Sequence, residues 1–404
     1  MSWQNHLQNQ HADRVDANLW RERSTLESPQ AAVVTIHGQP YDNFCSNDYL
    51  GLANDPRLIE AAQAAAQEFG VGSGASHLIC GHQTPHQQLE LALASFVGAE
   101  QALIFSCGYM ANLSIAQAFM GRDDFVFQDK LNHASLIDAG LACDAKLKRY
   151  PHNDTAALLE LLKKNNAGRK MIMTDGVFSM DGDVAPLAEL KQIADAHDSL
   201  LVIDEAHGFG VLGQGRGSAA GDNVSPTGNV LLMGTLGKAA GSFGAFVAGD
   251  SVLIQHLIQF GRTYTYTTAM PPHVAATSLA AVEIIADQPS LRNKLIDNVQ
   301  RFKTKLSQQA PSVAARLMPS ETAIEPLLIG DSQTALAASS FLREQGFLVL
   351  AIRPPTVPAG SSRLRITITA AHEPSTIDRL VDVLASEAMK SVMAQNSISD
   401  GSLQ

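Results

Sequence analysis

Basic residues are scarce in this chain: its 404 residues hold 29 Lys and Arg against 40 Asp and Glu, a net charge of −11. Nucleic acid and anionic membranes require a cationic surplus, so neither is the main partner this composition implies, and room is left only for a local basic pocket. Cysteine is rarer still. Cys45, Cys80, Cys107 and Cys143 are widely spaced, form no C-x-x-C pair and have no zinc-type histidine pattern beside them. That spacing argues against a structural metal and a disulfide framework, and the four read as small buried residues in a reducing compartment. No apolar run is long enough to span a bilayer, and the opening MSWQNHLQNQHADRVD lacks the basic start and apolar core of a signal peptide. The expectation is a soluble, cytoplasmic protein.

What is present describes an ordinary globular chain, 45% apolar and 17% charged, with length for two or three domains. Helical spacing over 2–23 and a hairpin over 33–45 make up an N-terminal segment, residues 1–50. From about residue 56 helices alternate with apolar strands, ALIFS, FVFQ, KLKRY, KMIMTD, SLLVID, NVLLMGT and FGAFVAG. This alternation predicts an α/β domain over 51–285, a parallel sheet with helices on both faces. A charged helix then leads into IEPLLIG, FLVLAI and RLRITIT, predicting a smaller α+β domain over 286–390 and a disordered tail over 391–404.

Between Lys191 and Lys294 the only lysine is Lys238, in MGTLGKAAGSFG, a stretch of residues with almost no side chain. Upstream, SLLVIDEAHGFG ends an apolar strand in Asp204, Glu205 and His207, where open α/β sheets place their ligands. A strand-end Asp is as often a helix cap. A nucleotide motor would need G-x-x-x-x-G-K-[ST], but Leu232 stands at the first glycine and Ala239 at the hydroxyl position. The glycines of FGVGSGASHLICG follow a helix rather than a strand, so a dinucleotide fingerprint is also unsupported, and the segment reads as a bend in close backbone contact.

A strand-end Asp, a following His and a lysine among small residues suit pyridoxal 5'-phosphate (PLP). The lysine forms a Schiff base, with space to swing away, and the Asp keeps the pyridine nitrogen protonated so that the ring accepts electrons. Further parts follow. ALIFSCGYMAN turns at Gly108 into a helix whose first amides, Gly108 and Tyr109 among them, suit a phosphate. Thr235 adds a hydroxyl, Ser179 follows another strand, and His133 precedes a helix, where its ring could cover the cofactor or merely cap. RTYTYTTAMPP, 262–272, reads either as a Thr-rich edge strand or as a segment reaching a partner subunit's phosphate, with Pro271 and Pro272 ending any helix.

The ordered words FCSNDYLGLA, FGVGSGASHLICGHQTPHQQLE, GYMAN, DKLNHASLIDA, VFSMDGDVAPL, IDEAHGFGVLG, TLGKAAGSFGAFVAG and RLRITITAAHE resemble the α-oxoamine synthases, fold-type I PLP enzymes, over residues 1 to about 388. MSWQ, GHQTPH, RYPHND and AIRPPTVPAG resemble the branch that makes a biotin precursor. The resemblance implies a C-acyltransferase that condenses L-alanine with a pimeloyl thioester, carried by CoA or acyl carrier protein, with loss of carbon dioxide; a sister branch uses glycine or serine with another acyl-CoA. It implies Lys238 as Schiff-base lysine and base, Asp204 at the pyridine nitrogen, His207 at the phenolic oxygen and His133 stacked on the ring and touching substrate. Gly108, Tyr109, Ser179 and Thr235 would hold the cofactor. Arg21, Thr356 and Arg365 would hold substrate, with Arg353 and Arg363 competing for the carboxylate role, in a homodimer with shared sites. Phe209 and Cys107 depart from the family's usual residues and would alter pocket shape.

Overall fold

The structure is a computed structural model that describes residues 2–394. Contacts divide the chain into two units, one formed by 48–179 and 183–293, the other by 1–47, 180–182 and 294–404. The N-terminal segment, set apart on sequence, therefore groups with the C-terminal region. The cause is strand pairing. The hairpin β1 (Val33–Ile36) and β2 (Gln39–Asn43) receives on its β2 edge a short strand from 347–348, giving a parallel pairing in which Phe347 faces Asp42.

The larger unit holds a seven-stranded sheet: β3 (Gln101–Phe105), β4 (Phe125–Asp129), β5 (Lys146–Tyr150), β6 (Lys170–Asp175), β7 (Ser199–Asp204), β8 (Val230–Thr235) and β9 (Ala245–Gly249), in the order β3-β9-β8-β7-β6-β4-β5. Nearly every residue of β4, β6, β7, β8 and β9 is buried, as expected of strands covered on both faces. The sheet is mixed rather than all-parallel, because β9 runs antiparallel to both β3 and β8. Residues 236–244 are too few for a crossover, so the chain must reverse there. Lys238 sits in that reversal.

The smaller unit continues with β10 (Ile324–Gly330), β11 (Phe347–Leu348), β12 (Leu350–Ile352) and β13 (Ser362–Thr367), of which β10, β13 and β12 form a second sheet. The first helix, Trp3–Asp16, is shorter than the spacing over 2–23 suggests and buries no residue. It stops where Asn18 takes a positive φ of 54°, a conformation Asn tolerates well. At the other end residues 391–394 of the expected disordered tail belong to the helix Glu387–Ala394; residues 395–404 lie outside the described residues. The segment 262–272 is not an edge strand. It forms the short helix Arg262–Thr265 and one bridge from Thr268 to Ser76, and Pro272 opens the helix Pro272–Asp287, where the first turn needs no N–H.

The small residues around Lys238 serve close packing more than open space. Ala239 and Ala240 are buried, a Cβ on Gly210 would lie 2.6 Å from that of Ala239, and one on Gly234 would strike the Phe246 ring. Gly241 has φ +63° and presses on the backbone of Leu52 and Ala53. Gly241→Ala should therefore destabilise the protein by about 1–3 kcal/mol, the cost of a strained φ plus a backbone shift. Urea unfolding checks this, and an unchanged midpoint would contradict the packing account.

Candidate active site

β3, β4, β6, β7 and β8 all end at the same edge of the sheet, and their carboxyl ends surround a cavity of about 200 Å³. Gly108, Tyr109, His133, Ser135, Asp175, Asp204, Ala206, His207, Met233, Thr235 and Lys238 line it. Seven sequence-nominated residues thus converge: Lys238, Asp204, His207, His133, Gly108, Tyr109 and Thr235. Four others do not line this cavity. Ser179 lies in the turn after β6, while Arg21, Thr356 and Arg365 belong to the smaller unit.

Asp204 closes β7 and is almost fully buried; one oxygen accepts from the Ala206 amide at 2.9 Å, the other from Asn112 Nδ2 at 2.8 Å. Asn112 also donates to Ser135 Oγ, leaving its own buried Oδ1 unsatisfied. Beside Asp204, in register on the neighbouring strand, stands Asp175, whose Oδ2 accepts from the His133 amide at 2.6 Å. Burial raises the Asp175 pKa well above the usual carboxylate range, and the charge of Asp204 adds to it, while the His133 amide and Lys238 oppose it. The protonated form of Asp175 is therefore favoured.

His133 is indeed a helix cap. Its Nδ1 accepts from the Ser135 amide at 3.2 Å at the start of the helix Ala134–Ala142, and it lines the cavity as well. Desolvation lowers its pKa, Asp204 opposes that and Lys238 reinforces it, so the neutral ring is favoured. With Nδ1 accepting, the proton resides on Nε2. Lys238 Nζ lies 2.8 Å from His207 Nε2, and His207 Nδ1 lies 2.5 Å from the hydroxyl of the buried Tyr49, making a chain of three titratable groups. Thr235 Oγ1 donates to the Gly244 carbonyl and accepts from the Gly237 amide, bracing the lysine's turn. Tyr109 directs its hydroxyl to Asp138.

Sequence reasoning missed Asp175, Asn112 and Tyr49. Asp175 had the same signal as Asp204, an acid closing an apolar strand, KMIMTD. The other two lie in the quoted words GYMAN and FCSNDYLGLA, with nothing local to mark them. Neither Phe209 nor Cys107 lines the cavity: Phe209 packs edge-on against Phe96 and Phe246 in the core, and Cys107 immediately precedes Gly108, which does line it. Within the smaller unit, Arg363 is ion-paired to Asp181 at 2.6 Å, Arg353 donates to the Asn18 carbonyl, and Arg21 donates to Thr356 Oγ1 at 3.0 Å. Arg365 donates to Asn47 Oδ1 and Thr367 Oγ1, both uncharged. Among the described residues no group of His, Cys, Asp and Glu could hold a metal ion.

An acid-terminated β7, a lysine in the following reversal and a helix amide pair across the cavity define the class. The family described as aminotransferase class I and II matches residues 40–384, and the chain belongs to it. Among individual proteins, it is 50% identical over 385 residues to the 8-amino-7-oxononanoate synthase of Hahella chejuensis, covering 95% of this chain and 96% of that one. A solved structure described as SPT with PLP internal aldimine superposes with a TM-score of 0.89 at 28% identity, covering 96% of this chain and 97% of the other. The 8-amino-7-oxononanoate synthase of Francisella tularensis gives a TM-score of 0.74 at 29% identity, over 86% of this chain and 98% of the other.

Glu205, next to Asp204, is fully buried and accepts from the Ser218 and Ala219 amides and the Ser218 hydroxyl. Burial, against those donors, pushes its pKa up to about 7. An acid whose pKa is raised on folding contributes stability that is complete below its unfolded value, about 4.3, and lost as pH rises through the folded value. Glu205→Gln lacks that loss. Its stability relative to the parent chain should therefore rise by up to about 4 kcal/mol between pH 4.3 and 7 and then level off, measured by urea unfolding of the cofactor-free protein. A pH-independent difference would refute the buried-acid account.

Proposed function

We propose that the chain catalyses the 8-amino-7-oxononanoate synthase reaction, the decarboxylative condensation of L-alanine with a pimeloyl thioester, using PLP. Identity to a relative of that name across nearly its whole length, with Lys238, Asp204, His207 and His133 around one cavity, carries the reading. The cavity suits the cofactor on its own terms. A Cβ on Gly108 would sit 3.2 Å from Met233 Cε, so glycine avoids a tight contact at a helix N-terminus whose amides suit a phosphate. The Asn112 and Ala206 donors hold the Asp204 carboxylate in a fixed position, as a partner for a ring nitrogen needs.

In this reading Asp204 would hold the ring nitrogen, His207 the phenolic oxygen and His133 the ring face. Gly108, Tyr109, Ser179 and Thr235 would hold the cofactor, and Lys238 its aldehyde carbon. Bound there, PLP supplies an electron sink for negative charge at the alanine α-carbon. Lys238 Nζ takes the α-proton and later returns one, and His207, 2.8 Å away, keeps that amine directed. His133 presents Nε2–H to the substrate carboxylate. Arg365, whose guanidinium fork suits a carboxylate, is the arginine assigned to carboxylate binding, with Arg21 and Thr356 as further substrate contacts. The alanine α-carbon attacks the thioester carbonyl, the C–S bond breaks and the carrier thiol leaves; the original carboxylate then departs as carbon dioxide and the α-carbon takes up a proton.

No helix among the described residues is long and apolar enough to cross a membrane, which agrees with a cytoplasmic enzyme. The thioester is carried by CoA or by an acyl carrier protein. Carbon dioxide release should be fastest with alanine and pimeloyl thioester when alanine, glycine and serine are each tested with pimeloyl, succinyl, acetyl and palmitoyl donors. A preference for serine with palmitoyl-CoA would favour the SPT-like alternative that the structural neighbour supports. Borohydride should fix PLP to Lys238 and not to Lys238→Ala, and Asp204→Asn should bind PLP but slow α-proton exchange about 10²–10³-fold.

The site is further proposed to be shared in a homodimer, with Thr267 or a neighbour reaching the partner's phosphate. Tyr266 and Thr268 stand exposed beside it, and the Ser73 hydroxyl and the Ala75 carbonyl anchor the segment at Met270 and Ala269. Mixing Lys238→Ala chains with chains disabled at Thr267 should restore one working site per heterodimer. A fully active monomer, or no recovery after subunit exchange, refutes sharing.

A further inference from the structure

Tyr49, in the word FCSNDYLGLA, stands behind the cavity rather than in its lining. It is 1% exposed, and its hydroxyl oxygen lies 2.5 Å from His207 Nδ1, while the other ring nitrogen, Nε2, lies 2.8 Å from Lys238 Nζ. All three residues are held by backbone. The turn after Tyr49 is closed by the Asp48 carboxylate, which accepts from the Leu52 amide at 2.8 Å and the Ala53 amide at 3.0 Å. Gly241, in the reversal that carries Lys238, packs on that same Leu52–Ala53 backbone. His207 sits in the turn after β7, where the Gly208 and Phe209 amides both donate to the Glu205 carbonyl.

A neutral imidazole carries one N–H, so one ring nitrogen donates and the other accepts. Nε2 is the one that faces the chemistry. In PLP the phenolic oxygen is on the ring carbon beside the one that bears the aldehyde, and Lys238 Nζ, the group that would hold the aldehyde carbon, is within hydrogen-bond distance of Nε2. An oxygen accepting there needs Nε2–H. Nδ1 is then a bare acceptor in a buried ring, and it needs a donor of its own. The Tyr49 O–H is placed to be that donor, whereas a carboxylate in its position would draw the proton to Nδ1 or charge the ring.

We propose that Tyr49 is a positioning residue for the cofactor's phenolic oxygen: its hydroxyl fixes His207 as the neutral tautomer that donates from Nε2 into the cavity. The proposal rests on the reading of His207 as the partner of that oxygen. Without the hydroxyl, Nδ1 loses the bond that sets it apart from Nε2. The proton is then free to move to Nδ1, which turns the Nε2 lone pair against an electron-rich oxygen. The groups assigned to the ring nitrogen and the phosphate, Asp204 and Gly108, do not depend on this bond.

The test is equilibrium binding of PLP and of its deoxy analogue, which lacks the phenolic oxygen but keeps the aldehyde and the phosphate. Both are titrated into the full-length cofactor-free chain and into Tyr49→Phe, His207→Phe and the double variant, with thermal unfolding as the check on folding. Tyr49→Phe should weaken PLP binding about tenfold, as for one hydrogen bond to a charged group, and analogue binding less than twofold, and it should add nothing in the His207→Phe background. Equal weakening of both ligands by Tyr49→Phe, additive effects in the double variant or unchanged PLP binding each overturn the proposal. If His207→Phe by itself treats the two ligands alike, the reading of His207 fails first and the proposal fails with it. A further measurement needs no variant: ring-nitrogen NMR of His207 in the PLP-loaded parent chain should find Nε2 protonated and Nδ1 bare, and a proton on Nδ1 overturns the proposal.

Discussion

Two carboxylates end adjacent strands of one sheet, in register, with almost no access to water. Placing like charges side by side in a protein interior is costly, and the surroundings of Asp175 and Asp204 are organised around that cost. Asn112 and the Ala206 amide serve Asp204, the His133 amide serves Asp175, and the positive field of Lys238 reaches Asp175. Ala206, His133 and Lys238 also line the cavity. The arrangement that makes the acids tolerable is thus the one that fixes a histidine and faces a lysine toward a shared space.

Glycine and alanine make the same site possible from behind. The reversal between β8 and β9 has to bring Lys238 to the sheet edge within residues 236–244, and it does so by pressing on its neighbours. Gly241 meets Leu52–Ala53, Gly210 meets Ala239, and Gly217 and Gly208 leave room for the Glu205 carboxylate. Precise placement of Lys238 Nζ against His207 follows from backbone contacts that larger residues would prevent.

Much of this was legible in the sequence because the signals are local. Alternation of helix and apolar strand marked the strands of the large sheet to within a few residues, and an acid at the end of an apolar strand marked Asp204. The lone Lys238 in a run of small residues stood out for the same reason. The antiparallel course of β9 was missed by the parallel-sheet expectation, although no helix separates NVLLMGT from FGAFVAG. The short helix Arg262–Thr265 does end before Pro271 and Pro272; that Pro272 also opens the next helix was not read.

The sequence by itself determined the element types, the strand-end chemistry and the family, since periodicity, capping residues and ordered motifs act over a few residues or are read as words. Tertiary structure alone decided which distant residues meet. Tyr49 reaches His207 across 158 positions, Asn112 reaches Asp204 across 92, and β2 pairs with 347–348, joining the N-terminal hairpin to the C-terminal unit. Such contacts leave no local trace, because a hydrogen bond constrains the two groups it joins and not the residues beside them in the chain. The shared edge of the sheet turns separate strand-end signals into one cavity.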